Sequence, residues 1–298
     1  MMRTAESITM ADDAAARRLQ AHVEALAGTI GERNLWRYEA LNQAARYISA
    51  QLAASGYTPA YQTFEVSKLP VSNVDATLEG AARPRDIVVV GAHYDTVPGC
   101  PGANDNGTGV AAVLELAQRF SRRPQARTIR FAGFVNEEPP FFKTPQMGSA
   151  VYANAARARG DRVVAMLSLE TMGYYSDEKG SQQYPAPLSG LYRDVGDFIG
   201  FVGNLGSARL LLKARRAFRR RTTFPLQCAA VPAAVAGVGW SDHWSFWQAG
   251  YAAMMVTDTA PFRYPWYHTA HDTPDKIDYD RLARVVDGLE AVIESLAR

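Results

Sequence analysis

The chain has 298 residues, of which 47% are hydrophobic and 21% charged. That composition excludes a disordered chain, a collagen-like repeat and a coiled coil. Thirty-two basic residues against thirty acidic ones leave a net charge of +2, so there is no basic surplus of the kind nucleic-acid binding requires. Cys100 and Cys228 are too few for a disulfide framework or a four-cysteine metal knuckle. Two ordinary thiols are the expectation, with one disulfide between them left open.

The N-terminal residues contain no apolar run of signal-peptide length, and acidic residues arrive by Glu6. No stretch approaches the roughly 18 apolar residues of a membrane span. The expectation is a cytoplasmic protein with no membrane partner.

Leu19, Val23, Leu26 and Ile30 recur at helical spacing, as do Leu41, Ala45, Ile48 and Leu52, with Gly56 as a stop. Tyr57 to Leu78 alternates, which predicts two strands. Asp86 to Gly91 is a short β-branched run, the pattern of a strand buried on both faces. A helix is expected over Val110 to Phe120, a strand over Thr128 to Val135, a helix over Val151 to Ala158 and a buried strand over Val163 to Leu169. Residues 176 to 206 have loop composition, with a strand near Phe198 to Val202. A helix over 207 to 221 follows, then a strand over Leu226 to Val235. Ser241 is placed to cap a short helix ending at Gly250. Ala252 to Thr257 reads as a last buried strand and Tyr279 to Leu296 as a last amphipathic helix. No repeat or linker interrupts this order. The prediction is one α/β domain over 1–298: a mixed, mostly parallel central sheet with helices on both faces and six to eight strands.

Chemically distinctive residues sit just after these strands. His93 and Asp95 follow the Val88 to Val90 run, Glu137 and Glu138 follow the next strand, and Glu170 ends the third. His268 comes soon after the last strand, and Asp105 lies in the loop Pro101 to Gly109. Alone, each reads as a turn residue, a cap or a solvated loop charge. Together, two imidazoles and several carboxylates converge where open α/β sheets bind ligands, and imidazole nitrogen with carboxylate oxygen suits zinc. Two histidines and three carboxylates exceed one tetrahedral site. With one bridging carboxylate they make two sites, each with three protein ligands and an open position. Two dications, three carboxylates and a bridging hydroxide sum to neutrality, which permits burial.

The sequence here resembles the M28 family of zinc metallopeptidases, which includes bacterial co-catalytic aminopeptidases. The resemblance rests on Gly91-Ala92-His93-Tyr94-Asp95-Thr96, on Pro101 to Gly109, and on Asn136-Glu137-Glu138. Leu169 to Tyr174, Ser241-Asp242-His243 and Tyr267-His268-Thr269 complete it, in the family's order, over about residues 70 to 280. Gly31-Glu32-Arg33-Asn34 also resembles bacterial members.

The resemblance implies that His93, Asp105 and Glu170 hold one Zn2+ and that Asp105, Glu138 and His268 hold a second, with Asp105 bridging. Glu137 would be the general base, and Asp95 would orient His93 through its second ring nitrogen. Co2+ or Mn2+ can stand in for zinc in vitro. Many members have Asp where this chain has Glu170, and Asp177 is the alternative ligand. Many also have a Gly-rich turn where this chain has Pro139-Pro140-Phe141-Phe142, a segment placed to shape the substrate pocket.

The implied activity is hydrolysis of the peptide bond next to a free N-terminus, so the expected partner is a peptide or aminoacyl substrate. Tyr174 and Tyr267 are candidates for helping to stabilise the oxyanion or for walling the site. Asp242 is either a helix-terminus acid or a substrate contact, and His243 either part of that motif or a packing residue. The run Arg215 to Arg221 reads as a solvated helix face, with an acidic partner as the alternative. Short spacing between motifs leaves no room for an inserted lid, so a monomer is expected. A glutaminyl-cyclase-type acyltransferase and a noncatalytic binding domain on the same scaffold are the competing functions. The latter predicts lost ligands, and none is missing.

Overall fold

The computed structural model describes residues 5–184, 190 and 192–298, with side chains described from residue 13 onward. Part of the loop-rich stretch 176–206 therefore lies outside the described residues. The fold follows from the period-2 pattern of its central strands. In β3 (Arg83–His93), Val88, Val90 and Ala92 pack into one core and Ile87 and Val89 into another. In β4 (Arg127–Phe134), Ile129 and Phe131 face the first core, and Ala132 and Phe134 face the second. A strand that is apolar on both faces needs cover on both faces.

The larger core is covered by α1 (Ala5–Val23), α2 (Tyr38–Ala54), α3 (Gly109–Phe120), α5 (Ala208–Arg221) and α7 (Tyr279–Ala297). The smaller core is covered by α4 (Gly148–Ala158) and α6 (His243–Gln248), through Tyr152, Ala153, Phe246 and Ala249. The remaining strands are β1 (Ala60–Val66), β2 (Leu69–Leu78), β5 (Arg162–Glu170), β6 (Ile199–Gly203), β7 (Leu226–Ala230) and β8 (Ala253–Thr257). One eight-stranded sheet runs β1-β2-β4-β3-β5-β8-β6-β7.

The four central strands β4, β3, β5 and β8 are mutually parallel, so their carboxyl ends share one edge. From β3 the chain crosses to β4 on one side, and β5 then lies on the other, with α3 and α4 on opposite faces. Loops diverge beyond β3, and such a switch point is where open α/β sheets bind ligands. The outer pairs β1/β2, β2/β4 and β6/β8 are antiparallel. Ser67 and Lys68, both at positive φ, make the two-residue β1–β2 turn.

Two sequence expectations are corrected. The strand expected over Leu226 to Val235 stops at Ala230, because Pro232 has no N–H to continue a ladder and a turn follows it (Val235 N–H to the Pro232 carbonyl, 3.0 Å). Ser241 does not cap α6: no side chain caps that helix, and the Ser241 hydroxyl is turned toward Glu170. Gly250 does end it, at φ +85°. Both cysteines are free thiols, Cys100 buried and Cys228 half-buried. Among the described residues no helix is long and apolar enough to cross a membrane.

Candidate metal centre

The edge of the sheet beyond β3, β4 and β5 gathers all five expected ligands. His93 is the last residue of β3 and Glu170 the last of β5. Glu137 and Glu138 follow β4, and His268 comes from the loop after β8. Asp105 lies between β3 and α3, in a segment built by its neighbours. The Asn106 side chain donates to the Leu169 carbonyl (2.9 Å) and accepts the N–H groups of Thr171 (3.1 Å) and Gly109 (3.0 Å). Asn106 thus closes the start of α3 and ties it to the end of β5, which is the loop chemistry behind the Asn-Gly pair. A Cβ at Gly109 would lie 2.3 Å from both the Asn106 side chain and the Leu169 carbonyl, so only glycine allows this approach.

The two oxygens of Asp105 face different histidines. Oδ1 is 3.2 Å from His93 Nε2, and Oδ2 is 3.0 Å from His268 Nε2. Glu170 Oε2 is 3.3 Å from His93 Nε2, and Glu138 Oε1 is 3.4 Å from His268 Nε2. Three groups of possible ligands result: His93/Asp105/Glu170 and Asp105/Glu138/His268, which share one carboxylate, and His93/Glu137/Glu138. Glu137 Oε2 stands farther off, 4.0 Å from His93 Nε2. His268 is the open member at 31% side-chain exposure, while the others are buried.

The electrostatics call for a cation. Burial lowers the His93 imidazole, but Glu170, Glu137 and Asp105 outweigh it and hold it well above its usual value. His268 is likewise raised, to about 10, by Asp105 and Glu138 against the opposing effect of burial. Burial pushes Glu138 up to about 7, aided by the charge of Asp105, and it pushes Glu170 and Glu137 up as well. Asp105 alone is held low, because the two histidines that face its oxygens outweigh its burial. Carboxylates crowded until protonation is favoured form a site for dications. Asp105 Oδ1 and Glu138 Oε1 are buried and among the described residues have no hydrogen-bond partner, which suits oxygens that would hold a metal. The donor set, two imidazoles and three carboxylates, fits two zinc ions.

Asp95 acts differently from the expectation. The partner of His93 Nδ1 is the Asp95 main-chain carbonyl, 3.2 Å away, and the carboxylate stands at 3.7 Å. The Asp95 carboxylate instead accepts the backbone N–H groups of Glu137 (3.0 Å) and Glu138 (3.1 Å). Ser241, read as a cap, donates to Glu170 Oε2 at 2.7 Å and meets the Ser168 hydroxyl at 2.7 Å. Asp177 is turned away from the site and pairs with Arg281.

The remaining candidates divide. Tyr267 stacks on the His268 ring, with centroids 3.8 Å apart, and lines an apolar cavity of about 100 Å³ that also borders Glu170. Phe201, Val238, Trp240 and Phe262 form other parts of that wall. Tyr174 packs on Tyr264 and Trp266 and does not line the cavity. Asp242 is fully buried with neither oxygen hydrogen-bonded among the described residues, and burial raises it to about 7. His243 is buried with Nε2 donating to the Val238 carbonyl at 2.7 Å, a packing role. Phe141, two residues beyond Pro139, stacks with Trp36. The Arg215 to Arg221 run lies on α5, where Arg221 pairs with Asp287.

Sequence reasoning missed Asp272. It is fully buried four residues after His268, and its carboxylate accepts the N–H groups of Asn104 (2.7 Å) and Asp105 (3.0 Å). No local pattern announces such a contact.

A model of peptidase family M28 matches residues 73–293, and the chain belongs to that family. The uncharacterized protein YfbL of Escherichia coli (strain K12) is 34% identical over 281 residues, covering 91% of this chain and 85% of YfbL. Aminopeptidase YwaD of Bacillus subtilis (strain 168) is 29% identical over 218 residues, 70% of this chain but only 40% of its own length. Among solved structures, the zinc aminopeptidase BSAP from Bacillus subtilis superposes with a TM-score of 0.76 at 17% identity, covering 93% of this chain and 94% of that one. The glutaminyl cyclase of Fimbriiglobus ruber superposes with a TM-score of 0.72 at 20% identity, covering 94% and 95%. Both structures show the same fold.

Proposed function

From membership of peptidase family M28, we propose that this chain is a zinc-dependent aminopeptidase acting as a single catalytic unit. The observation that carries the reading is the Asp105 carboxylate, whose two oxygens each face a different histidine, with Glu170 and Glu138 completing two triads. His93, Asp105 and Glu170 would hold one zinc, and Asp105, Glu138 and His268 the other. When bound, the metals supply Lewis acidity toward the scissile carbonyl and lower the pKa of the attacking water.

The residues supply the rest. Glu137 belongs to neither of these triads yet borders His93, the place of a general base. It takes a proton from the attacking water as the water oxygen bonds to the carbonyl carbon. It then delivers that proton to the amine nitrogen as the C–N bond breaks. Asp95 fixes the base by holding its backbone N–H. The apolar cavity bordered by Glu170 and Tyr267 receives the side chain of the N-terminal residue, so large apolar residues are the favoured substrates.

A second reading is favoured by one observation, the fold shared with a glutaminyl cyclase. One experiment separates the two: a panel of aminoacyl-anilides with zinc-loaded protein, including N-acetylated and N-terminal-Gln substrates. Cleavage that requires a free amine supports the aminopeptidase. Silence on every anilide with ammonia release from the Gln substrate would overturn it in favour of the cyclase.

A further inference from the structure

Arg33 is fully buried, and among the described residues no carboxylate lies within ion-pair distance of it. Its guanidinium is caged by main-chain carbonyls. Nε donates to Tyr94 (2.6 Å), Nη1 to Pro101 (2.6 Å), Gly31 (3.1 Å) and Leu26 (3.3 Å), and Nη2 to Gly102 (2.9 Å). Its backbone exchanges two further bonds with Thr96. The Tyr94 carbonyl lies between His93 and Asp95, and Pro101 and Gly102 lead directly to Asp105. One buried cation thus joins the end of β3 to the loop that carries the shared carboxylate.

Asp272 holds the same loop from the other side. Its main-chain carbonyl accepts the Ala103 N–H (3.1 Å), and its carboxylate accepts those of Asn104 and Asp105. The Tyr264 hydroxyl donates to the same carboxylate at 2.8 Å. Three successive amides therefore converge on Asp272, four residues from His268. The two grips meet on one peptide group, whose Gly102 carbonyl is bound by Arg33 and whose Ala103 N–H is bound by Asp272. A Cβ at Gly102, where φ is +68°, would stand 2.3 Å from the Thr96 side chain, so no larger residue lets the loop lie this close.

We propose that Arg33 and Asp272 are paired positioning residues of the metal centre. They clamp the Gly102–Asp105 backbone between a buried cation and a buried anion, and so fix the Asp105 carboxylate between His93 and His268. The placing of the two triads that would hold zinc is then set by residues that belong to neither. This rests on the zinc reading above and adds to it the origin of the bridging geometry. Charge and shape both matter: the guanidinium spreads its donors over three nitrogens to reach five carbonyls, whereas an ammonium has three donors on one nitrogen.

The test compares the wild type with Arg33→Lys, Arg33→Met, Asp272→Asn and the Met/Asn double variant. Zinc affinity is measured by competition with a chromophoric chelator, and the visible spectrum is recorded after Co2+ loading. Arg33→Met and Asp272→Asn should each weaken zinc binding by about 10- to 100-fold and shift the Co2+ bands. Arg33→Lys should fall between Met and wild type. The double variant should lose less than the product of the single losses, because both grips act on one peptide. Wild-type zinc affinity and an unchanged Co2+ spectrum in Asp272→Asn, even with a lowered melting temperature, would overturn the clamp and leave the metal reading intact. That variant exchanges one carboxylate oxygen for an amide nitrogen, so it decides the matter even where Arg33→Met fails to fold. A wild-type protein that takes up no zinc would overturn the metal reading itself.

Discussion

The Asp95 carboxylate accepts the backbone N–H of Glu137 at 3.0 Å, while the His93 ring is held by the Asp95 main-chain carbonyl. Asp95 therefore positions Glu137, the proposed base, more directly than it positions His93, the proposed ligand. Its second oxygen holds the N–H of Glu138, so the carboxylate grips the turn on which both glutamates sit. Asp95→Asn replaces one acceptor with an amide that faces an N–H, which breaks one of the two bonds. The expected result is a fall in kcat of about 10- to 100-fold with zinc content close to wild type. Steady-state kinetics beside metal analysis checks it. Loss of zinc with kcat per loaded site unchanged would instead make Asp95 a support for His93 alone.

Glu137→Gln keeps the shape of the base and removes its ability to take a proton. Glu137 stands outside the two triads proposed to hold zinc, so both metals should remain while kcat falls by about 10²- to 10⁴-fold. Zinc stoichiometry and turnover measured on one preparation decide this. A variant that loses a metal would make Glu137 a ligand.

Asp105 faces both histidines, so Asp105→Ala should reduce metal occupancy at both positions, whereas Glu170→Ala should reduce it only at the His93 position. Zinc content after dialysis at limiting free metal separates the two. One fully occupied site in Asp105→Ala would exclude a bridge. Chelation of the wild type should lower the melting temperature, because it removes ligands that bind only the folded state and leaves Glu137, Glu138 and Glu170 buried together.

Much of this was legible in the chain, for a physical reason. Strands buried on both faces are apolar at nearly every position, so Ile87 to Val90 and Val163 to Leu169, Ser168 apart, declare themselves by composition. The residue after such a strand stands at the sheet edge, so His93, Glu137, Glu138 and Glu170 could be placed without coordinates. What stayed hidden depends on contacts between distant segments. Arg33 binds carbonyls about sixty to seventy residues away, and Asp272 binds amides more than 160 residues away; neither leaves a periodicity. Ser241 misled because a serine before a short helix suits a cap, and only the fold brings Glu170 within reach of its hydroxyl. The resemblance turns Asp95 toward His93, and sequence cannot show that the turn after β4 offers the N–H groups of Glu137 and Glu138 to its carboxylate.

Burial holds His243 neutral, its pKa lowered to about 4, while in the unfolded chain an imidazole titrates near about 6.5. Between those values the unfolded state binds more protons, so stability rises with pH from about 4 to 6.5 and is lost as pH falls. The full effect is on the order of 3 kcal/mol. His243→Gln removes the titrating ring. The stability difference between wild type and variant, from urea unfolding, should therefore be largest above pH 6.5 and shrink steadily toward pH 4. A pH-independent difference would mean that the ring does not charge on unfolding.

The cavity at Glu170 makes a prediction about substrate choice that is independent of the metals. Cys228 lines this cavity as a half-buried free thiol on β7, with Phe201 as its neighbour across the strand pair. Cys228→Phe fills space without touching a ligand. If the cavity receives the N-terminal side chain, the variant should lose at least about tenfold in kcat/KM on leucyl- and phenylalanyl-anilides, since a few methylenes of lost pocket are worth that much. Alanyl-anilide, which reaches only the mouth beside Tyr267, should be cleaved at a nearly unchanged rate, and zinc content should not move. Equal losses on all three substrates would show a disturbed centre, and no loss on any would place the side-chain subsite elsewhere. A selective loss would also explain why this edge of the sheet carries β6 and β7: they wall a pocket for the residue whose amide bond lies over Asp105.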